Sequence, residues 1–567
     1  MGNYESEFIG FDRSIIGRAG GDNQNLASNA PGQLNIEQGS TQFWTFSNQS
    51  LYGPKAPSTP GLPSSPLMTF VPATPDSPDE RILYISLTTC LQPTPKTSSQ
   101  TGPPGQLELY VSKSSGNTQP NAADKDYAVA IVEGFGSLNI SVKGDVFFGI
   151  SAPGNKDFTG VYNYQLTASV DRFYASNSTE PNVNFVDSDT SSALLYTNST
   201  TNDNSSAADI KQWMNGPPPF SIFVQNIDNP SIQGMRHSVC ALQNFADARS
   251  PAVIDAGMTS AGDGRPKQQF HVRNLNASST YYAITAIMGN STDSGNGVVG
   301  GGGMVWGSGS TFTTKSGMLF SDVVDKSAHN SCPDNNCALL FNLTFCSSVA
   351  YSAPANFSHF NVTVLGQKYD AYARDQYTNF SRSLQQIACD TTSSAQYSLA
   401  RNCDDCDKAY REWLCAVTIP RCEDYSNPAS YLQPRAVNQS FANATLAAQA
   451  ANDPAFNAQN RSRVAFSQSR NPMIDSDIQP GPYKEVLPCS DLCYNLVQSC
   501  PASLQFVCPL QNHGLNYTYG TQKRGTLDIT CNSPRAGISI GGASALKRIG
   551  TLVAWVASGV ALVIMDI

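Results

Sequence analysis

The chain has 567 residues, of which only 14% are charged, and its formal net charge is −9. A chain of this length has room for several domains, roughly three or four at the usual domain size. The mildly acidic composition excludes the strongly basic surface through which proteins bind nucleic acid.

The first residues do not form a signal peptide, because residues 1–20 carry several charges and no apolar run. We predict that residues 1–40 form an extended, polar leader. Its apolar side chains are expected to dock on a neighbouring domain; they are Phe8, Ile9, Phe11, Ile15 and Ile16.

Residues 41–172 are predicted to form an all-β domain. Seven short segments are rich in β-branched and aromatic residues and alternate between apolar and polar positions. They are TQFWTFS, RILYISLTT, QLELYVS, YAVAIVE, LNISVK, DVFFGIS and GVYNYQLTASV. Because Pro/Gly/Ser-rich stretches separate several of them, the pattern favours a β-sandwich.

Residues 173–215 are rich in Ser, Thr and Asn, and we predict a glycosylated linker there. The β pattern resumes over residues 216–320 in FSIFVQNI, HSVCALQNF, QQFHVRNL, TYYAITAIM and MVWGSGSTFTT. The pair Leu275 and Tyr281 resembles the tyrosine corner of fibronectin type III domains. We therefore predict a second β-sandwich.

Residues 325–535 are predicted to form a mainly α-helical, cysteine-rich domain. Of the 15 cysteines, 13 lie between Cys332 and Cys531. Helical spacing of apolar residues occurs in SRSLQQIA, DKAYREWLC, FANATLAAQAAND and SDLCYNLVQSC. The cysteines form either disulfides or metal sites. Zinc is disfavoured, because the chain has one CxxC pair, Cys403 and Cys406, and its five histidines are scattered.

Fifteen Asn-x-Ser/Thr acceptor sites are spread over the chain, more than chance gives, and indicate passage through the secretory pathway. They are Asn48, Asn139, Asn177, Asn198, Asn204, Asn276, Asn290, Asn342, Asn356, Asn361, Asn379, Asn438, Asn443, Asn460 and Asn516. In that pathway disulfides are the expected state of the cysteines. A secreted chain needs a signal segment, so we expect the natural start to differ from Met1.

Residues 536–567 are predicted to attach the protein to a membrane. Ile549 to Met565 is a run of 17 residues without a charge, preceded by small residues and by Lys547 and Arg548. This order is typical of a signal for a glycolipid (GPI) anchor. The alternative is a single transmembrane helix, for which the run is short. Either way, the rest of the chain is expected to face the outside.

The cysteine spacing resembles that of frizzled-type cysteine-rich domains. WLCAVTIPRC resembles their FFLCSxxxPxC segment, and Cys406-x8-Cys415-x6-Cys422 and Cys489-x3-Cys493-x6-Cys500 follow the same pattern. The resemblance implies the pairs Cys337–Cys422, Cys346–Cys415, Cys406–Cys500, Cys489–Cys531 and Cys493–Cys508. A sixth pair, Cys389–Cys403, is our guess, and the partners of Cys332, Cys90 and Cys240 stay open. In frizzled-type domains the gap between the two halves is short, whereas here 66 residues separate Cys422 from Cys489. We expect this polar insertion to add little apolar core.

The leader FDRSIIGRA, the glycosylated β-rich half, the GGGGMVW loop, the cysteine-rich region and the apolar tail together resemble one fungal family. It comprises the stretch-activated calcium-channel accessory subunits, regulatory partners of the high-affinity calcium channel. The cysteine-rich part is also similar to the accessory subunit of the animal sodium-leak channel.

This resemblance implies an extracellular plasma-membrane glycoprotein that reaches the surface through the endoplasmic reticulum. It would bind a four-repeat, voltage-gated-like pore subunit and be needed for calcium influx after stress or stretch. The resemblance implies no enzymatic activity, cofactor, metal or catalytic residue. The chain's single apolar segment also carries no polar residue suited to a filter.

Two other functions stay open. One is a surface receptor that binds a lipid or a glycan through the frizzled-like domain. The other is a wall-modifying enzyme, for which paired carboxylates such as Asp404 and Asp405 are the only weak candidates. The expected partner surface lies on two helices and comprises Tyr410, Trp413, Leu492 and Val497. For Tyr410 and Trp413, taken by themselves, the pattern favours the apolar, core-facing side of a disulfide-pinned helix.

Overall fold

The computed structural model describes residues 23–53, 73–97, 102–178, 180–202, 204–228, 232–249, 252–262, 264–289, 292–293, 298–299, 302–315, 336–387, 398, 400–441, 453–510, 513–523 and 529–533. The chain folds into two compact units and passes between them several times. The first unit comprises residues 1–183, 219–251 and 281–310, and the second comprises residues 184–218, 252–280 and 311–567.

The first unit is dominated by β-strands. Those lying wholly or mainly in it are β1 (Gln24–Leu26), β2 (Gly32–Ile36), β3 (Thr41–Phe46), β4 (Arg81–Leu91), β5 (Thr94–Pro95), β6 (Glu108–Ser112), β7 (Tyr127–Val129), β8 (Phe135–Val142), β9 (Val146–Ser151), β10 (Phe158–Thr159), β11 (Tyr162–Ser169), β12 (Ser176–Ser178), β15 (Ser221–Asn226), β18 (Thr280–Met288), β19 (Thr292–Asp293), β20 (Val298–Val299) and β21 (Gly303–Thr313). Its helices are α1 (Asn48–Tyr52) and α3 (Val239–Arg249).

Two sheets of this unit share one apolar core. Their strand orders are β1-β3-β9-β6-β7 and β2-β11-β4-β8. Alternate side chains of both sheets, such as Phe46, Leu83 and Phe148, are buried in the same cluster. A buried polar chain crosses it: Trp44 Nε1 donates to Tyr164 Oη at 2.9 Å, and that hydroxyl is 2.6 Å from the Gln42 side-chain oxygen. The first unit therefore holds a β-sandwich.

The seven segments predicted as strands over residues 41–172 all contain strands. The leader differs from expectation, because β2 pairs with β11 and buries Leu34 and Ile36 in the sandwich. The apolar residues Phe8 to Ile16 lie outside the described residues.

The prediction of a strand at HSVCALQNF was wrong, because Val239–Arg249 is helical. Val239 and Leu242, three positions apart, are both buried on one side, and the Ser238 hydroxyl accepts the Ala241 N–H at 3.2 Å. The helix is joined to β4 by a disulfide between Cys90 and Cys240. A third sheet of this unit has the strand order β12-β21-β18-β15.

The second unit combines small sheets with most of the helices. Its strands are β13 (Val183–Ser188), β14 (Ser192–Thr197), β16 (Val253–Thr259), β17 (Lys267–Arg273), β22 (Cys337–Leu340), β23 (Tyr351–Pro354), β24 (Arg421–Glu423), β25 (Leu432–Arg435) and β26 (Tyr483–Val486). Its α-helices are α2 (Ala207–Asn215), α4 (Val362–Leu384), α5 (Cys403–Thr418), α6 (Ala458–Arg461), α7 (Val464–Ser467), α8 (Ser490–Ser499) and α9 (Leu515–Thr518). Short 3₁₀ turns span Pro454–Phe456 and Ala502–Leu504, and a π-helical turn spans Ile474–Ile478.

The segment 173–215, which we expected to be a linker, is structured. It contributes β12, β13, β14 and α2. In the second unit, β13 and β14 belong to the sheet β13-β14-β17-β16. The protein is thus multidomain, with many sheets in its N-terminal half and a helical, disulfide-rich C-terminal region. The exact domain boundaries stay predictions.

The helices of the second unit begin at well-formed caps. The Asn361 side chain accepts the Val364 N–H at 2.9 Å and starts α4. Asn402 and Asp405 form a reciprocal capping box at the start of α5. The carboxylate of Asp405, one of the two considered for catalysis, is therefore used to begin a helix.

Candidate functional site

Five disulfides of the cysteine-rich region have both of their cysteines among the described residues. They join Cys337 to Cys422, Cys346 to Cys415, Cys406 to Cys500, Cys489 to Cys531 and Cys493 to Cys508. These are the same five pairs that the frizzled resemblance implies. They tie β22 to β24 and α5 to α8. Each cross-link removes unfolded-state freedom worth about 2–4 kcal/mol, so together they make a rigid frame.

The metal alternative fails at its only CxxC pair. Cys403 and Cys406 are both disulfide-bonded, and a disulfide sulfur is not the thiolate that zinc requires. Within the described ranges no cluster of His, Cys, Asp and Glu is suited to a metal ion. Cys332 and Cys389 lie outside those ranges, so the guessed pair Cys389–Cys403 stays a prediction.

An aromatic cluster packs between α4, α5 and the segment after α8. The rings of Phe380 and Tyr410 are stacked with centroids 3.6 Å apart, and Phe506 lies 5.8 Å from Tyr410. Trp413 Nε1 donates to Tyr519 Oη at 2.8 Å. Burial raises the pKa of the Tyr410 hydroxyl. Tyr410 and Trp413 are half-buried. They pack in the aromatic cluster and are also partly accessible to solvent.

The other two residues of the expected partner surface have different positions. Leu492 on α8 is only 5% exposed, so it belongs to the interior and cannot contribute to a surface. Val497 on the same helix is 38% exposed, and its neighbour Tyr494 is 44% exposed. The spacing of apolar residues predicted the helix correctly. It did not indicate which of its apolar residues are buried and which are exposed.

The long insertion between Cys422 and Cys489 adds to the core, contrary to our expectation. Its residues Ala436, Ile474, Ile478 and Tyr483 are buried together with the disulfide-bonded frame. Strand β26 lies at the centre of the three-stranded sheet β24-β26-β25. The insertion is therefore an integral part of the region and not merely a polar loop.

A buried ion triad holds this insertion in place. The fully buried carboxylate of Glu485 accepts from Arg435 Nε at 2.5 Å and from Arg470 Nε at 2.8 Å. Burial alone would raise the pKa of Glu485, but the two guanidinium charges outweigh it and lower that pKa. The same arginines donate to backbone oxygens of Ala465, Tyr517 and Thr518. Sequence reasoning missed this triad, because its members are separated along the chain by up to 50 residues.

A second charge cluster joins β13 to β24. Lys315 Nζ lies 2.9 Å from Asp187 Oδ1 and 2.7 Å from Glu423 Oε1, and an Arg421 nitrogen lies 3.0 Å from Asp187 Oδ2. Burial opposes ionisation of Asp187, but Arg421 and Lys315 lower its pKa. The cluster borders a cavity of about 320 Å³. Because these charges already satisfy one another, the cluster is best understood as a structural joint.

The acceptor asparagines are accessible wherever the structure describes them. None of the thirteen described sites is buried. They are Asn48, Asn139, Asn177, Asn198, Asn204, Asn276, Asn342, Asn356, Asn361, Asn379, Asn438, Asn460 and Asn516. Asn290 and Asn443 lie outside the described residues. Ten of the thirteen are exposed, and Asn177, Asn356 and Asn460 are partly buried.

Comparison with known proteins decides the family. Residues 82–536 match the family described as "Mid1: Stretch-activated Ca2+-permeable channel component". The chain belongs to the Mid1 family. It is 32% identical over 443 residues to the stretch-activated cation channel yam8 of Schizosaccharomyces pombe, covering 76% of this chain and 78% of yam8. It is 32% identical over 384 residues to the stretch-activated cation channel MID1 of Saccharomyces cerevisiae, covering 63% of this chain and 59% of the yeast protein.

These relatives are channel components, which supports a calcium-channel-related role for this Mid1-family chain. Among solved structures, the pre-peptidase C-terminal domain of a Bacillus anthracis collagenase matches 27% of this chain and all of its own. At 10% identity and a TM-score of 0.15, that likeness supports no argument. None of the helices in the described ranges is long and apolar enough to cross a membrane. The apolar run 549–565 lies outside those ranges.

Proposed function

We propose that the protein is an extracellular regulatory subunit of a fungal plasma-membrane calcium channel, needed for calcium influx after stress or stretch. The chain acts by binding a separate, four-repeat pore subunit, and it has no enzymatic activity of its own. The family match over residues 82–536 supports the link to a calcium channel.

The observation that carries the extracellular assignment is that both units are cross-linked by disulfides. Among the pairs between described cysteines, Cys90–Cys240 lies in the first unit and five lie in the second. Disulfides persist in oxidising compartments and are rare in the cytosol. The accessible acceptor asparagines support the same route through the endoplasmic reticulum. The tail at 536–567 then anchors the protein to the outer face of the plasma membrane.

The cysteine-rich region is proposed to be a frizzled-like domain with a structured insertion. Five cysteine pairs with the frizzled order support this, as do the helices that those pairs connect. The exposed edges of Tyr410 and Trp413 on α5 contribute to the contact with the pore subunit. Leu492 is left out because it is buried.

The experiment measures calcium influx in fungal cells in which this chain is the only Mid1-family protein. Cells carrying the natural chain should take up calcium after hypo-osmotic shock, and cells lacking it should not. In the same cells, N-glycosidase digestion should lower the mass of the protein, and external protease should degrade it in intact spheroplasts. Protection from external protease would contradict the extracellular placement.

A further inference from the structure

Helix α8 and the segment after it expose an apolar patch, which we call the α8 patch. It consists of Tyr494, Val497, Val507 and Leu510. Val507 is 84% exposed and Leu510 is 71% exposed, the highest values among the large apolar side chains of the described chain. The disulfide between Cys493 and Cys508 brings the segment that carries Val507 next to α8. Exposed apolar residues that lie near one another mark an interaction site more often than scattered ones do.

The patch is held rigidly. Cys500 is bonded to Cys406 on α5, and Cys508 is bonded to Cys493 on α8, so the segment is fixed at both ends. Between them Phe506 packs into the aromatic cluster. Val507 is thus exposed on a cross-linked segment, and Leu510 follows its bonded end, Cys508, by two residues.

Two other exposed apolar groups in the same region are flanked by glycosylation sites. Phe357, Val362 and Val364 lie beside Asn356 and Asn361. Val464 and Tyr517 follow the sites at Asn460 and Asn516. The α8 patch differs, because residues 461–515 contain no acceptor site. Glycans at those sites would flank the first two groups, whereas the acceptor site nearest to Phe380, which packs on Phe506 beside the α8 patch, is Asn379 on a different helix, α4.

The patch is tethered close to the proposed anchor. Cys489 directly precedes α8 and is bonded to Cys531, near the end of the described chain. From Ser533 the chain reaches the apolar run at Ile549 in 16 residues, and it reaches the small residues at 537–543, where a glycolipid anchor would be attached, in fewer. Sixteen residues span at most about 55 Å when fully extended. The disulfide therefore limits how far α8 can lie from the membrane-attached segment.

Charge and size favour lipid over protein as the occupant. Residues 490–510 contain one charged side chain, Asp491, so contact with a zwitterionic lipid surface desolvates few charges. Four side chains are far fewer than the roughly 20–30 residues per side of a stable protein interface. A protein that is already tethered to the membrane needs only a small contact to bind it, because the tether raises the effective concentration of the patch at the lipid surface.

We propose that the α8 patch lies against the outer leaflet, with Val507 and Leu510 inserted at the boundary between headgroups and acyl chains. Tyr494 suits the same boundary, where amphipathic aromatic rings are enriched. The inference rests on the membrane anchoring in the proposed function. It adds a second, non-covalent point of membrane contact on the disulfide frame.

The test places a tryptophan at Val507 or at Val464 in the full-length glycoprotein with its own anchor. Each protein is reconstituted without the pore subunit into phosphatidylcholine vesicles, with or without bromine on the upper acyl carbons. Emission is compared with that of the parent protein, so the five native tryptophans cancel. Val464 is a matched control, because it is exposed but lies on a glycan-flanked group.

We expect the added emission of Val507→Trp to shift to the blue and to be quenched by brominated lipid, and that of Val464→Trp to do neither. No quenching at position 507 in protein that stays on the vesicles after alkaline wash overturns the inference and leaves the proposed function intact. A blue shift that appears only after the pore subunit is added, without quenching by brominated lipid, also overturns it, because the contact is then with protein. Loss of the protein from the vesicles overturns the anchoring itself.

Discussion

Arg435 donates from its Nε to the fully buried carboxylate of Glu485, and Arg470 donates to the other oxygen of the same carboxylate. Glu485 on the central strand of the sheet β24-β26-β25 is thus the shared counter-charge of two guanidinium groups. This triad gives the long insertion a fixed place in the cysteine-rich region, and it makes that region sensitive to a single substitution.

Replacing Glu485 by Gln should destabilise the protein by about 3–5 kcal/mol, because it leaves two buried guanidinium groups without a counter-charge. The measurement is urea unfolding of the purified glycoprotein followed by tryptophan fluorescence. Asp255→Asn is the control: it breaks an exposed pair with Arg273 and should cost no more than about 1 kcal/mol. Equal effects of the two substitutions would count against the buried triad.

Acid should weaken the same region. The pKa of Glu485 is lowered from its ordinary value of 4.5, so its stabilising contribution is complete above that pH. The contribution is lost as the pH falls through the lowered pKa, when the carboxylate takes up a proton. Below pH 4.5 the free energy of unfolding of the natural protein should therefore fall more steeply than that of Glu485→Gln. Parallel pH profiles would show that another group governs acid unfolding.

The disulfide frame should be required for surface delivery. Cys415→Ser breaks the buried bond to Cys346 and should cost about 2–5 kcal/mol, enough to block folding in the secretory pathway. Surface biotinylation and calcium uptake should be lost together. The exposed Ser503→Ala is the control and should change neither. Normal surface levels with normal uptake in Cys415→Ser would refute this role of the frame.

A double-mutant cycle can measure the interaction free energy of the hydrogen bond between Trp413 and Tyr519. Trp413→Phe and Tyr519→Phe each remove one partner of the 2.8 Å hydrogen bond and should each cost about 1 kcal/mol. The double variant should be less destabilised than the sum of the singles, because the bond is lost only once. Strict additivity in thermal unfolding would mean that the two groups do not interact.

Asn361 serves as a helix cap and as a glycosylation site, and two substitutions separate these roles. Asn361→Asp keeps an oxygen that can accept the Val364 N–H but removes the acceptor amide, whereas Asn361→Ala removes both. Both variants should lose one glycan by mass spectrometry. Only the alanine variant should lose the cap, at about 1 kcal/mol. Equal stability of the two would show that the cap contributes nothing.

The local pattern of apolar and polar residues, and the cysteine spacing shared with a known family, could predict much of this fold. Alternation located the strand Thr41–Phe46, in which every second residue is buried, since half-buried strands carry a period of two. The β-branched and aromatic residues of the other six segments over residues 41–172 located their strands. Cysteine spacing implied five pairs that the structure contains. The helix Val362–Leu384 was recognised only near its end, because β-branched residues and Gly366 weaken its first turns. Burial of Leu365, Tyr369 and Ala373 compensates for that weak propensity.

Features that depend on contacts between residues distant in sequence could not be predicted. Nothing near Cys90 in sequence marks Cys240 as its partner, 150 residues away. HSVCALQNF has an alternation that suits a strand, yet its packing on β4 and the hydroxyl of Ser238 favour a helix. The positions of Glu485 and Leu492 likewise depend on which side of an element meets the core, and that side is set by the rest of the chain.

The central claim is that this chain regulates a separate pore, and affinity capture from the native membrane tests it most directly. The tagged full-length protein is solubilised from fungal membranes in mild detergent, captured and analysed by mass spectrometry, with Cys415→Ser as the control. We predict a large, four-repeat cation-channel protein with the natural chain and not with the control. Capture of a small lipid or glycan without any channel subunit would contradict the claim and support a receptor instead.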